Sequence, residues 1–146
     1  MRTRTEIQTA FAHRAALDGA RSFCLVGIGG AGMSGLARML LNRGFVVRGT
    51  DSTSGPVIDG LREAGAVVWV GHTADAVQPG DAVVLSDAID LNSSPEVAAA
   101  RTLGAPLFRR SQLLGHLLAK HRLIAVTGTH GKTTTTGMIG AALSAA

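Results

Sequence analysis

Solid apolar runs and helically spaced apolar positions alternate along this chain. Residues 22–28 (SFCLVGI) form an apolar run ending among glycines, the pattern of a parallel strand buried on both faces. From Met33 to Asn42, Leu36, Met39 and Leu40 recur around helical turns and Gly44 follows, which predicts a helix and its stop. Residues 45–50 read as a second strand, 57–63 as a short helix stopped by Gly65, and 67–70 as a third strand. Pro79-Gly80 is a turn pair that introduces a fourth strand over 82–85. Ser94-Pro95-Glu96 opens a helix with a cap and a first-turn proline. A fifth strand is expected over 106–108, then a helix over 111–120 with Ser111 as N-cap. The run 123–127 reads as a sixth strand, followed by a helix over 132–145.

This β-α alternation predicts the α/β class: a Rossmann-like parallel sheet of about five strands with helices on both faces. A boundary is expected near His121. Residues 1–121 would form a complete domain, and 122–146 the strand, phosphate loop and helix that open a truncated second one. The 146-residue length suits one α/β domain and little more.

Composition narrows the chemistry. Hydrophobic residues make up 46% and charged ones 16%, so the chain is globular, and with only 3% aromatics its core must be aliphatic. The net charge of +4 rests on scattered arginines without interleaved aromatics, which suits small anionic ligands and argues against a nucleic-acid surface. Cys24 is the single cysteine, so no internal disulfide can form, and its apolar neighbours mark it as a buried, inert thiol. No apolar run reaches membrane-spanning length, and the polar N-terminal segment TEIQTAFAHRAALDG lacks a signal-peptide centre. A cytoplasmic protein is the expectation.

Two glycine-rich loops carry the candidate chemistry. In the first, Gly27-Ile28-Gly29-Gly30-Ala31-Gly32 fits G-x-G-x-x-G between a strand and a helix. Glycine there allows a tight turn and close backbone approach to a pyrophosphate, and the helix N-terminus favours the anion. Asp51, at the end of the second strand, lies where an acidic residue takes a ribose hydroxyl. This spacing does not separate NAD(P) from another nucleoside diphosphate, so an oxidoreductase domain stands as the alternative.

In the second loop, Gly128-Thr129-His130-Gly131-Lys132-Thr133 ends in G-K-T. Backbone N–H groups can wrap a β-phosphate, Lys132 can neutralise β/γ oxygens, and Thr133 can offer its hydroxyl to Mg²⁺. Val126 stands where the general P-loop pattern has its first glycine. His130 can face either phosphate or solvent, and Thr134 can lie on phosphate or on the helix surface. No acidic residue follows Lys132 to complete a metal shell, so ATP hydrolysis by this chain alone is not expected.

GIGGAGMSGLA, Gly49-Thr50-Asp51, Leu85 to Ile89 and GTHGKTTTT, taken in order, resemble the motifs of the Mur ligase family of peptidoglycan synthesis, and in particular its alanine-adding branch. The resemblance covers nearly the whole chain. It implies a three-domain, ATP- and Mg²⁺-dependent ligase that phosphorylates the carboxylate of UDP-N-acetylmuramate and passes the acyl group to the amine of L-alanine. Carried over by motif, Gly29, Gly30, Ala31, Gly32 and Met33 would approach the UDP diphosphate through backbone. Asp51 and His72 would contact the uridine, with Ser86 and the backbone near Ala88 along the sugar-diphosphate. Gly128, Thr129, His130, Gly131, Lys132, Thr133 and Thr134 would hold ATP, with Lys132 catalytic and Thr133 on the metal. Asp87 departs from the family, which commonly has a second serine there, and the segment from Asp90 to Pro95 also differs from the usual one.

Overall fold

In the computed structural model, residues 15–145 are described. The N-terminal segment read above as lacking a signal-peptide centre lies outside them up to Arg14. Five parallel strands, β1 (Ser22–Val26), β2 (Val46–Asp51), β3 (Val67–Val70), β4 (Asp81–Leu85) and β5 (Leu107–Arg109), form one sheet in the order β3-β2-β1-β4-β5. After a helical segment over 15–19 come the helices α1 (Ala31–Leu41), α2 (Pro56–Glu63), α3 (Pro95–Leu103), α4 (Arg110–Leu118) and α5 (Lys132–Ser144), with a 3₁₀ turn at Ala74–Ala76.

Strand composition follows position in the sheet. β1 and β4 lie between neighbours, and every residue of β4 is buried. Alternate residues point to opposite faces, so two cores form. Phe23, Leu25, Val47, Val84 and Phe108 pack under α1, α2 and α4, where Met33, Leu36, Ala37 and Leu40 form one helical stripe of α1. Phe23 and Phe45 meet edge to face at 5.3 Å between centroids. On the other face, Cys24, Val26, Val83 and Leu85 pack against the 3₁₀ turn and Val97 and Ala100 of α3. Helices therefore cover both faces, as the alternation predicts.

Local caps set both ends of α3. Ser94 accepts the N–H of Val97, Pro95 occupies the first turn, and α3 stops at left-handed Gly104. Two expectations need correction. Ser111 is not the cap of α4: Arg109 holds that position and its N–H donates to Gln112 Oε1 at 2.7 Å, so the helix starts at Arg110. Residues 123–127 are not a strand. Among the described residues their N–H and C=O groups have no neighbouring strand to pair with, and Leu123 and Ile124 stay 66% and 58% exposed, so apolar sequence alone does not make the element. No helix of the described residues is long and apolar enough to cross a membrane.

Candidate functional site

The strand order reverses direction between β1 and β4, which opens a crevice beyond the carboxyl ends of the strands, the place where open α/β sheets bind ligands. Each strand delivers chemistry there. β1 runs into the glycine loop, β2 ends at Asp51, His72 follows β3, Ser86 and Asp87 follow β4, and Arg109 and Arg110 close β5 and open α4.

The loop is seated by the neighbouring strand. Gly27 and Ile28 both donate N–H bonds to Thr50 O (2.8 and 3.0 Å). Gly29 donates to Asp51 Oδ2 at 2.7 Å, and Asp51 Oδ1 accepts from the N–H and hydroxyl of Thr53. Gly27 turns at φ +77°, and a Cβ there would lie 2.9 Å from Ser86 Oγ, so the β1 and β4 ends touch at this glycine. A Cβ on Gly29 would lie 2.9 Å from Asp51 Oδ2. A cleft of about 190 Å³ opens beside Asp51, lined by Gly29, Thr53, Gly55, Pro56 and Ile58.

Tracing the N–H groups shows which of them can meet an anion. Gly30 donates back to Gly27 O, and Met33 to Gly30 O, while the Met33 side chain is buried in the core. Gly29 is spent on Asp51. Among the described residues nothing accepts from Ala31 or Gly32, the first two residues of α1. Those two N–H groups, at the positive end of the helix, are the loop's free donors.

His72 sits one strand further on and toward the other face. Its Nδ1 lies 2.8 Å from Glu96 Oε1, and no side-chain contact joins it to Asp51, although Gly71 N–H donates to Asp51 O. Glu96 is fully buried and also accepts from Thr50 Oγ1 (2.7 Å), Ser94 Oγ (2.6 Å) and Thr73 N–H (3.2 Å). Burial pushes its carboxyl upward, but the hydrogen bonds from Ser94, Thr50 and His72 outweigh it and hold the group below the usual glutamate range. In the sequence Glu96 stands only as part of the Ser94-Pro95-Glu96 helix opening. The fold reveals it: Glu96 shares the buried face of α3 with Val97 and Ala100. Arg109 and Arg110 likewise stand in the sequence only as two of its scattered charges. Arg109 Nη1 reaches Ser86 O at 3.5 Å, and Arg110 Nη2 reaches Asp87 Oδ2 at 3.3 Å.

The second loop stands apart from both cores. Gly131 is left-handed (φ +78°) and caps α5, and Thr135 N–H bonds its carbonyl. The N–H groups of Lys132, Thr133 and Thr134 find no acceptor among the described residues. Lys132 Nζ folds onto the loop's own carbonyls, Gly128 O at 2.7 Å and Thr129 O at 3.3 Å. A first turn of free donors plus a lysine fits a phosphate group. Thr129, His130, Thr133 and Thr134 are exposed beside it. Among the described residues no cluster of His, Cys, Asp or Glu could hold a metal; beside the loop, the Thr133 hydroxyl is an oxygen of the kind a magnesium ion accepts.

A five-stranded parallel sheet with this loop at its crevice defines a Rossmann-like α/β domain, and the family profile described as "Mur ligase family, catalytic domain" matches residues 23–122, so the chain belongs to the Mur ligase family. Among particular proteins, it is 53% identical over 119 residues to the UDP-N-acetylmuramate–L-alanine ligase of Chlorobaculum parvum, covering 82% of this chain and 25% of that protein. Identity to the protein of that name from Rhodopseudomonas palustris (strain BisB18) is 46% over 120 residues, 82% of this chain and 26% of that one. The crystal structure of the UDP-N-acetylmuramate-alanine ligase of Thermotoga maritima superposes with a TM-score of 0.77 at 35% identity, over 82% of this chain and 28% of that one. A murein peptide ligase from Psychrobacter arcticus gives 0.75 at 31%, over 83% and 26%. The chain spans about a quarter of the length of the curated relatives it matches.

Proposed function

We propose that this chain supplies the UDP-sugar-binding domain, residues 1–121, and the ATP phosphate loop, within 122–146, of a cytoplasmic ligase that joins L-alanine to UDP-N-acetylmuramate in peptidoglycan synthesis. The observation that carries this reading is the convergence at one crevice of two free helix N–H groups, Asp51 and Ser86, followed in sequence by a second phosphate loop of different design. One cradle takes the UDP diphosphate and the other takes ATP. Asp51 holds the nucleoside, with the cleft beside it as its seat, and Ser86 lies along the sugar-diphosphate. ATP activates the substrate carboxylate as an acyl phosphate, and the amine of L-alanine displaces phosphate from it. The names of the relatives support the substrate pair.

Calorimetric titration tests the reading. Saturable binding of UDP-N-acetylmuramate with no response to NADH supports it, and the reverse result replaces it with a nicotinamide-binding oxidoreductase domain. ATP and L-alanine added to this chain should give no turnover. In a longer protein carrying this chain and the further length of its relatives, Lys132→Ala should abolish turnover and leave UDP-sugar affinity nearly unchanged. Undiminished turnover would remove Lys132 from ATP chemistry.

A further inference from the structure

Arg110 and Asp87 approach the glycine loop from outside it. A Cβ built on Gly32 would lie 2.6 Å from Arg110 Nη1 and 3.1 Å from its Cδ, so the guanidinium arm rests on the first turn of α1. That turn carries the two N–H groups without acceptors, at Ala31 and Gly32. A fixed positive charge and a helix N-terminus therefore share one small region, and the anion beside them is Asp87, whose Oδ2 is 3.3 Å from Arg110 Nη2. Both partners are accessible, with side chains 40% and 68% exposed. Such a pair is weak in water and exchanges readily for a stronger anion. A diphosphate offers several oxygens to a planar guanidinium, which it can engage through two parallel bonds.

From this geometry we infer that Arg110 is a diphosphate-binding residue and that Asp87 is its exchangeable counter-ion. Asp87 holds the guanidinium over the loop while no nucleotide is bound, and yields it when a nucleoside diphosphate enters. The inference rests on the UDP-binding reading above and adds a residue to that site. It also explains why a carboxylate is tolerated so close to an anion cradle: Arg110 neutralises it.

Titrating UDP and uridine into the whole chain and its variants tests this. Arg110→Gln should weaken UDP by about tenfold, the worth of a charge-assisted hydrogen bond at a half-exposed site, and leave uridine, which has no phosphate, unchanged. Asp87→Asn should tighten UDP, because the competing carboxylate is gone. Both side chains reach solvent, and matching thermal midpoints will show that the variants are folded. If the native chain binds UDP and Arg110→Gln binds it equally well, the assignment of Arg110 is overturned while the UDP reading stands. Equal weakening of UDP and uridine overturns it too, since Arg110 would then shape the loop and not grip phosphate. If the native chain binds no UDP, both readings fall.

Discussion

Glu96 is the residue on which the crevice is organised. Its carboxylate gathers groups from β2, from the segment after β3 and from the start of α3, and it has no exposed surface. A buried charge survives only when it is satisfied, and here four donors satisfy it. Its carboxyl is held below the ordinary range in the folded chain, despite the upward push of burial. The stabilisation it brings is therefore present in full above the unfolded glutamate pKa, and it is lost as pH falls through the lower folded value. Thermal midpoints measured downward from neutral pH should fall for the native chain across that acid window. Glu96→Gln removes this titration, so its midpoint should fall less steeply, and at neutral pH the variant should be less stable by about 1–3 kcal/mol from disrupted buried hydrogen bonding. Parallel pH slopes for the two proteins would show that Glu96 does not carry the acid sensitivity.

At the scale of elements, the glycine loop is seated through β2 as much as through β1. Ile28, in mid-loop, buries its side chain against Gly49, where an added Cβ would collide with the carbonyl oxygen of Leu25 and press on Ile28 at 2.9–3.0 Å. Backbone cannot retreat as a side-chain end can. Gly49→Ala is expected to cost about 1–3 kcal/mol in denaturant unfolding, in the range of core overpacking, and to weaken UDP binding by lifting the loop. Gly32→Ala meets only the movable arm of Arg110 and should leave stability unchanged, so equal losses for the two would refute this account.

The same contrast shows what was legible in the chain. The five strands, the loop glycines, the Ser94-Pro95 opening and the stops at Gly44 and Gly65 all follow from local backbone chemistry, and local chemistry can be read in order. The roles of Gly49, Glu96 and Arg110 come from strands and helices that meet only after folding, at sequence separations of tens of residues. Residues 123–127 failed for the converse reason: the local pattern is a strand's, but a strand is a relation between two segments.

For the whole molecule, the open question is where the cooperative unit ends. α5 has no buried residue, and Met138 and Leu143 are 61% and 64% exposed, whereas β1 and β4 are almost wholly buried. Local stability follows buried contact, so backbone opening in 122–145 should cost little and opening of the sheet should cost the full unfolding free energy. Cys24 is a built-in reporter of the sheet. It is the single cysteine, has no exposed surface, and burial, with the nearby Asp81 and Glu96 charges, pushes its thiol up to about 12, so it reacts only when the sheet opens. Brief proteolysis should cut between Ala119 and Lys132 first, and the trimmed product should keep its hydrogen-exchange protection in β1, β2 and β4. Its Cys24 should label with a thiol reagent no faster than in the intact chain. Labelling that speeds up in step with cleavage would mean that residues 122–145 are part of the folding unit, and the boundary near His121 would have to move toward the C-terminus.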